Sequence, residues 1–546
     1  VSSAVPNANL ACLLADAALA APARLGFAHG ATRWTYAAAA GRASRCAAAL
    51  AAAGVGPGDV VAWIGDNTPA AALAYFGAAW AGAVLAPLHL RLTDTDLRRV
   101  LEHAGAKAVL VEPAHRARAV GWGLPLLDLH APALDGDPGS PSTGPPDERP
   151  PDERPPDERP PDERPPDAGR YAPFARPVAR AARDAAHLYY TSGSTGTPKG
   201  VVLTHGNVVA HARLAAAALD LTARDVWLHA APMFHLADAW ATFAVTLVRG
   251  EHRFVPQFRE PDVLDAFAAG VTVTNLVPTM WHALVRHPST PGRDYRSLRL
   301  LLSGGAAIAP DVVRRVRALF GAEYAQTYGL TETSPYLTIS RLSAEEARRP
   351  EAEALALLTR AGTPMRGVDV AVVDGDGRPV PADGATVGEV VARGPTVTPG
   401  YLRNPEADAL AFRDGWFHTG DLARVHPDGR LDLADRTGDV VNSGGEKVFS
   451  TDVERALSGA PGVAEVLVVG TPDPHWGQVV TAVVVPEGPG PTLAGLQAHA
   501  RGALADFKVP RRLILVDALP RTASGKWSKR EARAIAAARF AGGPAA

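Results

Sequence analysis

The sequence predicts an α/β protein: a large N-terminal domain of parallel-type α/β sheets with a small β-rich subdomain, followed by a small α+β C-terminal domain. Three observations carry this expectation. Short strand patterns alternate with helical patterns through most of the chain, the arrangement that builds parallel sheets with crossover helices. Between residues 386 and 400 the strands shorten and turns multiply. After Asp435 strands and a helix alternate in a compact unit. At roughly 150 residues per unit, 546 residues make about three or four units, enough to bury several cores.

In chain order, residues 10–23 are apolar, but no Lys or Arg precedes them and Asp16 interrupts them. They read as a short amphipathic helix rather than a signal peptide. Residues 67–90 contain no Asp, Glu, Lys or Arg and reach the length of a membrane span. Their Ala and Gly content contributes little transfer free energy, and Pro69 and Pro87 punctuate them. A buried helix over 69–82 and a core strand over 83–88 fit better, with no stable membrane insertion. A strand follows at 108–111. Residues 135–168 then break the pattern, with four perfect copies of Pro-Pro-Asp-Glu-Arg from 145 to 164. Each copy lacks an apolar face, so the insert is expected to be disordered and extended, at about 3.1 Å per residue. Beyond it come strands at 187–190, 271–276, 298–302 and 368–373, and a helix at 309–319. The last unit offers strands at 463–470 and 479–486, a helix at 492–507, a strand at 512–516 and a basic tail ending in a helix.

Composition narrows the function. Hydrophobic residues are 47% and charged residues 21%, ordinary for a globular protein, which excludes a wholly disordered or collagen-like chain. Lys plus Arg is 55 against 57 Asp plus Glu, a net charge of −2, which argues against a dedicated nucleic-acid binder. The two cysteines, Cys12 and Cys46, make neither a disulfide framework nor a Cys-based zinc site, and fit a reducing cytoplasm.

A set of ordered motifs carries the chemistry. The strand at 187–190 runs into Thr191-Ser192-Gly193-Ser194-Thr195-Gly196-Thr197-Pro198-Lys199, where glycines let backbone N–H groups approach phosphate oxygens, hydroxyls donate, and Lys199 supplies a point charge. The spacing is not that of a Walker loop. Ser303-Gly304-Gly305-Ala306 ends a strand with glycines, where α/β sheets bind ligands. The run from Gln326 to Thr333 supplies an aromatic face at Tyr328, a hydroxyl at Thr331 and a carboxylate at Glu332, suited to a base, a phosphate and a hard cation. Residues 415–421 place a carboxylate, Asp421, in an expected turn. Arg436, then Gly444 and Gly445, and finally Lys526 on a small-residue loop complete the set.

In this order the motifs resemble the adenylate-forming superfamily: acyl-CoA synthetases, peptide-synthetase adenylation domains and firefly-type luciferases. The resemblance covers nearly the whole chain apart from the insert. It implies an adenylation domain over 1–434, a hinge over 435–438 and a mobile C-terminal domain over 439–546. It implies that the 191–199 loop covers the β- and γ-phosphates of ATP, that Gly304, Gly305 and Ala306 border the adenine and that Tyr328 stacks on it. Thr331 would bond the α-phosphate and Glu332 would bind Mg²⁺. Asp421, helped by Arg436, would hold the ribose hydroxyls. Lys526 would bridge the carboxylate and the α-phosphate, and Gly444 and Gly445 would line a tunnel for the pantetheine of CoA. Pro232-Met233-Phe234-His235 matches the segment at the acyl pocket. Peptide-synthetase domains usually carry Asp where His235 stands, so amino acids are disfavoured. Met233, Phe234, Trp240, Thr279, Met280 and Trp281 suit a fatty or aryl acid, Trp281 either shortening the tunnel or serving as core.

The implied activity is an ATP-dependent acyl-CoA ligase of the cytoplasm, acting on a small-molecule carboxylic acid. An acyl-AMP ligase that loads an acyl carrier protein shares its first step, and a catalytically dead nucleotide-binding homologue is the reading from another class. Two positions depart from the pattern: Gly438 at the hinge, usually Asp or Lys, and Trp527 after Lys526, usually a smaller aliphatic residue.

Overall fold

The computed structural model describes residues 8–131, 134, 175–192, 198–521 and 527–540, so the Pro-rich insert, the loop tip at 193–197 and Lys526 lie outside the described residues. The chain divides into two units, Val1–Phe258 with Thr398–Leu402, and Arg259–Val397 with Arg403–Ala546.

In the first unit a seven-stranded sheet runs in the order Gly400–Tyr401, Pro198–Thr204, Ala185–Ser192, Val84–Pro87, Val60–Ile64, Ala106–Val111, Leu126–Asp128. Its five strands from Ala185–Ser192 to Leu126–Asp128 are parallel, as expected of strands joined by crossover helices. The edge departs from the parallel expectation: Ala185–Ser192 and Pro198–Thr204 form an antiparallel hairpin, and Gly400–Tyr401 adds to it antiparallel. The short Gly-rich connection leaves no room for a crossover, so the chain must fold straight back.

The apolar run expected to be a buried helix is the helix Pro69–Trp80, every residue of which is buried. Thr68 caps it by accepting from the Ala70 N–H, and Pro69 occupies the first turn. Its small residues serve close packing: a Cβ at Gly77 would lie 2.6 Å from Cys46 Sγ on the neighbouring helix Tyr36–Ala52. Among the described residues no helix is long and apolar enough to cross a membrane. Val226–His229, Glu251–Phe254 and Leu25–His29 pair parallel in that order, and Thr32–Thr35 closes the run antiparallel.

The second unit carries Val273–Leu276, Leu300–Gly304 and Glu323–Gly329 in parallel, then Tyr336–Ser340 and Thr363–Pro364 antiparallel. The small β-rich region is larger than residues 386–400: Asp369–Val373, Val387–Arg393, Phe412–Arg413, Trp416–Val425 and Leu431–Arg436 form one antiparallel sheet. Beyond it, Val463–Asp473 and Gly477–Pro486 pair antiparallel, and Arg512–Leu515 runs parallel to the latter. Two buried clusters fill this part, one around Val453, Val468, Val480 and Ala482, the other around Leu467, Val483 and the helix Lys529–Phe540. The helix expected over 492–507 is shorter, Leu493–Arg501, because Gly502 follows it and the chain then makes a separate turn at Asp506–Lys508.

Candidate active site

The second unit brings three of the expected residues into direct contact. Tyr328 lies near the end of Glu323–Gly329, and its hydroxyl donates to Asp421 Oδ2 at 2.9 Å. Arg436 Nε donates to Asp421 Oδ1 at 2.8 Å. Asp421 is not in a turn, as expected, but inside the strand Trp416–Val425. The turn lies upstream at Asp414 and Gly415, both at positive φ, and strand alternation then buries Phe417, Thr419, Asp421 and Ala423 on one face. Its side chain is 11% exposed, whereas that of Arg436 is 62% exposed. Burial first, then the Asp421 charge, pushes the Tyr328 phenol well above its ordinary range, so it stays a donor. Asp421 in turn raises the Arg436 pKa, with smaller contributions of the same sign from Tyr328 and Glu332.

Around this trio the glycines do steric work. A Cβ at Gly304 would sit 2.3 Å from Thr327 Oγ1, which itself donates to Ser303 O at 3.1 Å. Gly305 has φ +84° and is exposed, and Ala306 O accepts from Gln326 Nε2 at 3.0 Å. The segment 304–306 is thus tied side by side to the strand that carries Tyr328. Thr331 and Glu332 lie in the turn Thr331–Thr333, held by Leu330 N–H donating to Thr333 Oγ1 at 2.9 Å. Glu332 is buried and Thr331 half-buried. Gly444 and Gly445, at φ +61° and +89°, make the tight turn between Val441–Ser443 and Glu446–Val448. A Cβ on Gly444 would meet the Trp476 ring at 2.6 Å, and Arg511 lies over that ring at 4.4 Å.

In the first unit Thr191 and Lys199 face each other across the hairpin. Lys199 Nζ lies 5.2 Å from the centre of the Tyr401 ring. Ser192 ends the strand Ala185–Ser192, while Gly193, Ser194, Thr195, Gly196 and Thr197 lie outside the described residues. His235 is the N-cap residue of the helix Leu236–Leu247, and its ring packs against Phe234 at 4.8 Å and edge-on against His89 at 4.7 Å. Trp240 and Met233 are fully buried. Trp281 is ordinary core: it is fully buried, donates to Leu302 O at 3.0 Å and packs on Phe267 and Phe320.

Sequence reasoning missed His89. Its signal was position, since it follows the strand Val84–Pro87 at the carboxyl edge of the parallel sheet, where α/β folds bind ligands. It also missed Glu389, which accepts from Gly420 N–H at 3.1 Å and lies 2.9 Å from His418 Nδ1, and so steadies the strand next to Asp421.

Residues 14–402 match the model of the AMP-binding enzyme family, and residues 452–526 match that of the AMP-binding enzyme C-terminal domain. A feruloyl-CoA synthase of Amycolatopsis sp is 37% identical over 510 residues, covering 92% of this chain and 94% of that one. A long-chain-fatty-acid–CoA ligase of Thermus thermophilus is 37% identical over 509 residues, covering 92% and 90%. Among solved structures, ATP-bound MatB from Rhodopseudomonas palustris superposes with a TM-score of 0.82 at 29% identity, covering 97% of this chain and 99% of that one. With the ordered motifs, the shared fold and two family matches agreeing, the chain belongs to the AMP-binding enzyme family and has the acyl-CoA synthetase type of organisation.

Proposed function

We propose that the protein activates a carboxylic acid lacking an α-amino group, fatty or aryl, as its acyl-adenylate and then transfers the acyl group to the thiol of CoA. The observation that supports this most is the Tyr328–Asp421–Arg436 constellation. A buried carboxylate, steadied by a phenol and a guanidinium, is suited to accept hydrogen bonds from the two ribose hydroxyls of ATP. In the first step a carboxylate oxygen of the acid attacks the α-phosphorus, the bond to the β-phosphate oxygen breaks, and pyrophosphate leaves. Both reactants are anionic, so cations and donors aimed at the developing charge supply the catalysis. In this reading Thr191, Lys199 and the loop between them take the β- and γ-phosphates, Thr331 donates to the α-phosphate, and Lys526 bridges it to the acid. Gly304, Gly305 and Ala306 border the adenine beside Tyr328.

Glu332 is the proposed Mg²⁺ ligand. Among the described residues no group of three or more His, Cys, Asp or Glu is placed to hold a metal ion. One buried carboxylate fits a Mg²⁺ that takes most of its ligands from phosphates and water. When bound there, the ion supplies neutralisation of phosphate charge.

In the second step the CoA sulfur attacks the acyl carbon, the bond to the AMP oxygen breaks, and AMP leaves; the thiol proton passes to solvent. Gly444 and Gly445 would border the pantetheine arm. The proposed hinge is 435–438, and the buried clusters of the C-terminal part support a separate domain over 439–546. His235 in the acyl-pocket segment supports a non-amino acid. A reducing cytoplasm is the proposed compartment, supported by two unbridged cysteines, of which Cys46 is pushed up to about 12 by burial. The test is pyrophosphate release from ATP and Mg²⁺ across fatty and aryl acids, with and without CoA. Acid-dependent release that CoA accelerates, with acyl-CoA as product, is expected. Release that only an acyl carrier protein accelerates would replace CoA as acceptor, and nucleotide binding without release would overturn the activity.

A further inference from the structure

We infer that Asn67 and Tyr75 are positioning residues that hold the acyl-pocket segment at 232–235, with Ala231 before it, in register, and thereby set how the enzyme meets the acyl part of its substrate. The inference rests on the reading of that segment as part of the acyl pocket. The segment joins the strand Val226–His229 to the helix Leu236–Leu247 and belongs to neither. Its backbone is buried at Ala231 and Met233, and buried backbone polar groups require partners.

Those partners are two side chains. Asn67 Nδ2 donates to Ala231 O at 2.7 Å, and Asn67 Oδ1 accepts from Met233 N–H at 2.8 Å. The primary amide therefore does for residues 231 and 233 what a neighbouring strand does for a strand. Asn67 is 3% exposed and is itself fixed, its N–H donating to Pro256 O at 3.1 Å. Tyr75, on the helix Pro69–Trp80, donates its hydroxyl proton to Met233 O at 2.6 Å. Its oxygen lies 2.9 Å from the Tyr189 hydroxyl, which must then be the donor of that pair.

Three backbone groups around Met233 are thus satisfied from one strand–turn–helix unit, and the chain of hydroxyls continues to Tyr189. Tyr189 lies on Ala185–Ser192, two residues before Thr191. The hydroxyl pair therefore reaches the strand that leads into the phosphate hairpin, but the backbone group that Tyr75 holds is Met233 O in the acyl segment. Phe234 and His235 extend from the held backbone against His89. A shift of Met233 moves this aromatic group, and with it the wall expected to meet the acid.

The test compares Tyr75→Phe, Asn67→Ala and the control Phe234→Ala in steady-state pyrophosphate release, with KM measured separately for acid and ATP and with kcat/KM compared between two acids of different shape. Tyr75→Phe keeps the ring packed against Trp63, His187 and Phe243 and removes both hydrogen bonds of its hydroxyl, the one to Met233 O and the one from Tyr189. It is expected to raise the KM for acid about tenfold, to leave the KM for ATP within about twofold, and to narrow the preference between the acids. Asn67→Ala, where folded, is expected to do the same more strongly. If Phe234→Ala changes the preference while folded Tyr75→Phe leaves acid KM and preference unchanged, or shifts both KM values equally, the positioning role is overturned. If Phe234→Ala changes neither acid KM nor preference, the acyl-pocket reading fails, and the positioning role with it.

Discussion

Replacing Asp238 should separate the cost of losing a buried acceptor from the cost of reversing a hydrogen-bond chain. Asp238 Oδ1 accepts from Trp227 Nε1 at 3.2 Å, and Oδ2 lies 3.0 Å from His229 Nδ1. His229 Nε2 lies 3.0 Å from His252 Nδ1, and His252 Nε2 lies 3.0 Å from Thr246 Oγ1. All five side chains are fully buried. A carboxylate only accepts, so it sets the direction: protons sit on Nδ1 of both histidines, and Thr246 donates at the far end. Asp238→Ala strands the Trp227 and His229 donors at about 1–3 kcal/mol each, roughly 4 kcal/mol together. Asp238→Asn keeps the acceptor for Trp227 and turns a donor toward His229. Both histidines then move their proton to Nε2, every ring nitrogen stays paired, and the cost falls to about 1 kcal/mol. Hydrogen exchange of peptides spanning residues 226–254 reads this locally: protection should fall roughly 10³-fold for alanine and about fivefold for asparagine. Equal losses for the two variants would refute the reversible chain, and an alanine variant with full protection would refute the closed network itself.

Three further outcomes follow from the same geometry. Arg436→Ala removes the exposed partner of Asp421 and should raise the KM for ATP about tenfold while leaving the KM for acid near wild type, as read by pyrophosphate release; equal shifts in both would remove Arg436 from the nucleotide site. Gly304→Ala should destabilise and impair ATP binding because its Cβ meets Thr327 Oγ1 at 2.3 Å, and Thr327→Ala in the same chain should restore part of the loss in thermal midpoint. Burial holds His187 and His211 at about 3 and His205 at about 4, each below the ordinary 6.5. These depressed values mean that stability is fully present above about pH 6.5 and is lost as pH falls toward the folded values, by about 2 kcal/mol per histidine at pH 5. His187→Phe, between Tyr75 and Phe243, should remain folded and lose one histidine's share of that slope in urea midpoints measured from pH 7 to 5.

What was legible in the sequence was what is local along the chain. The 191–199 loop, the glycines at 304–305 and the run from Tyr328 to Glu332 each concentrate their chemistry within a few residues, so composition alone marks them. The parallel strands expected at 83–88, 108–111, 187–190, 271–276 and 298–302 were legible as short apolar runs between helical patterns, whereas Val60–Ile64, Val226–His229 and Glu323–Gly329 were not singled out. Contacts that close over distance were not. Tyr328 and Asp421 meet across 93 positions and Asn67 reaches Met233 across 166, and no periodicity encodes either pairing. The misplacement of Asp421 has the same origin. Gly415 and Gly420 both fall in the run read as a turn, but only Gly415, together with Asp414, makes the hairpin turn, and Gly420, at φ +72°, is a bulge within the strand. Strand alternation is decided by which face the sheet buries, a property of the partners Val387–Arg393 and Leu431–Arg436. A carboxylate on the buried face is costly unless paired, and the two groups that pair it, Tyr328 and Arg436, come from different strands. The site therefore exists only once the sheet has formed, which is why its residue types could be read from the sequence while its geometry could not.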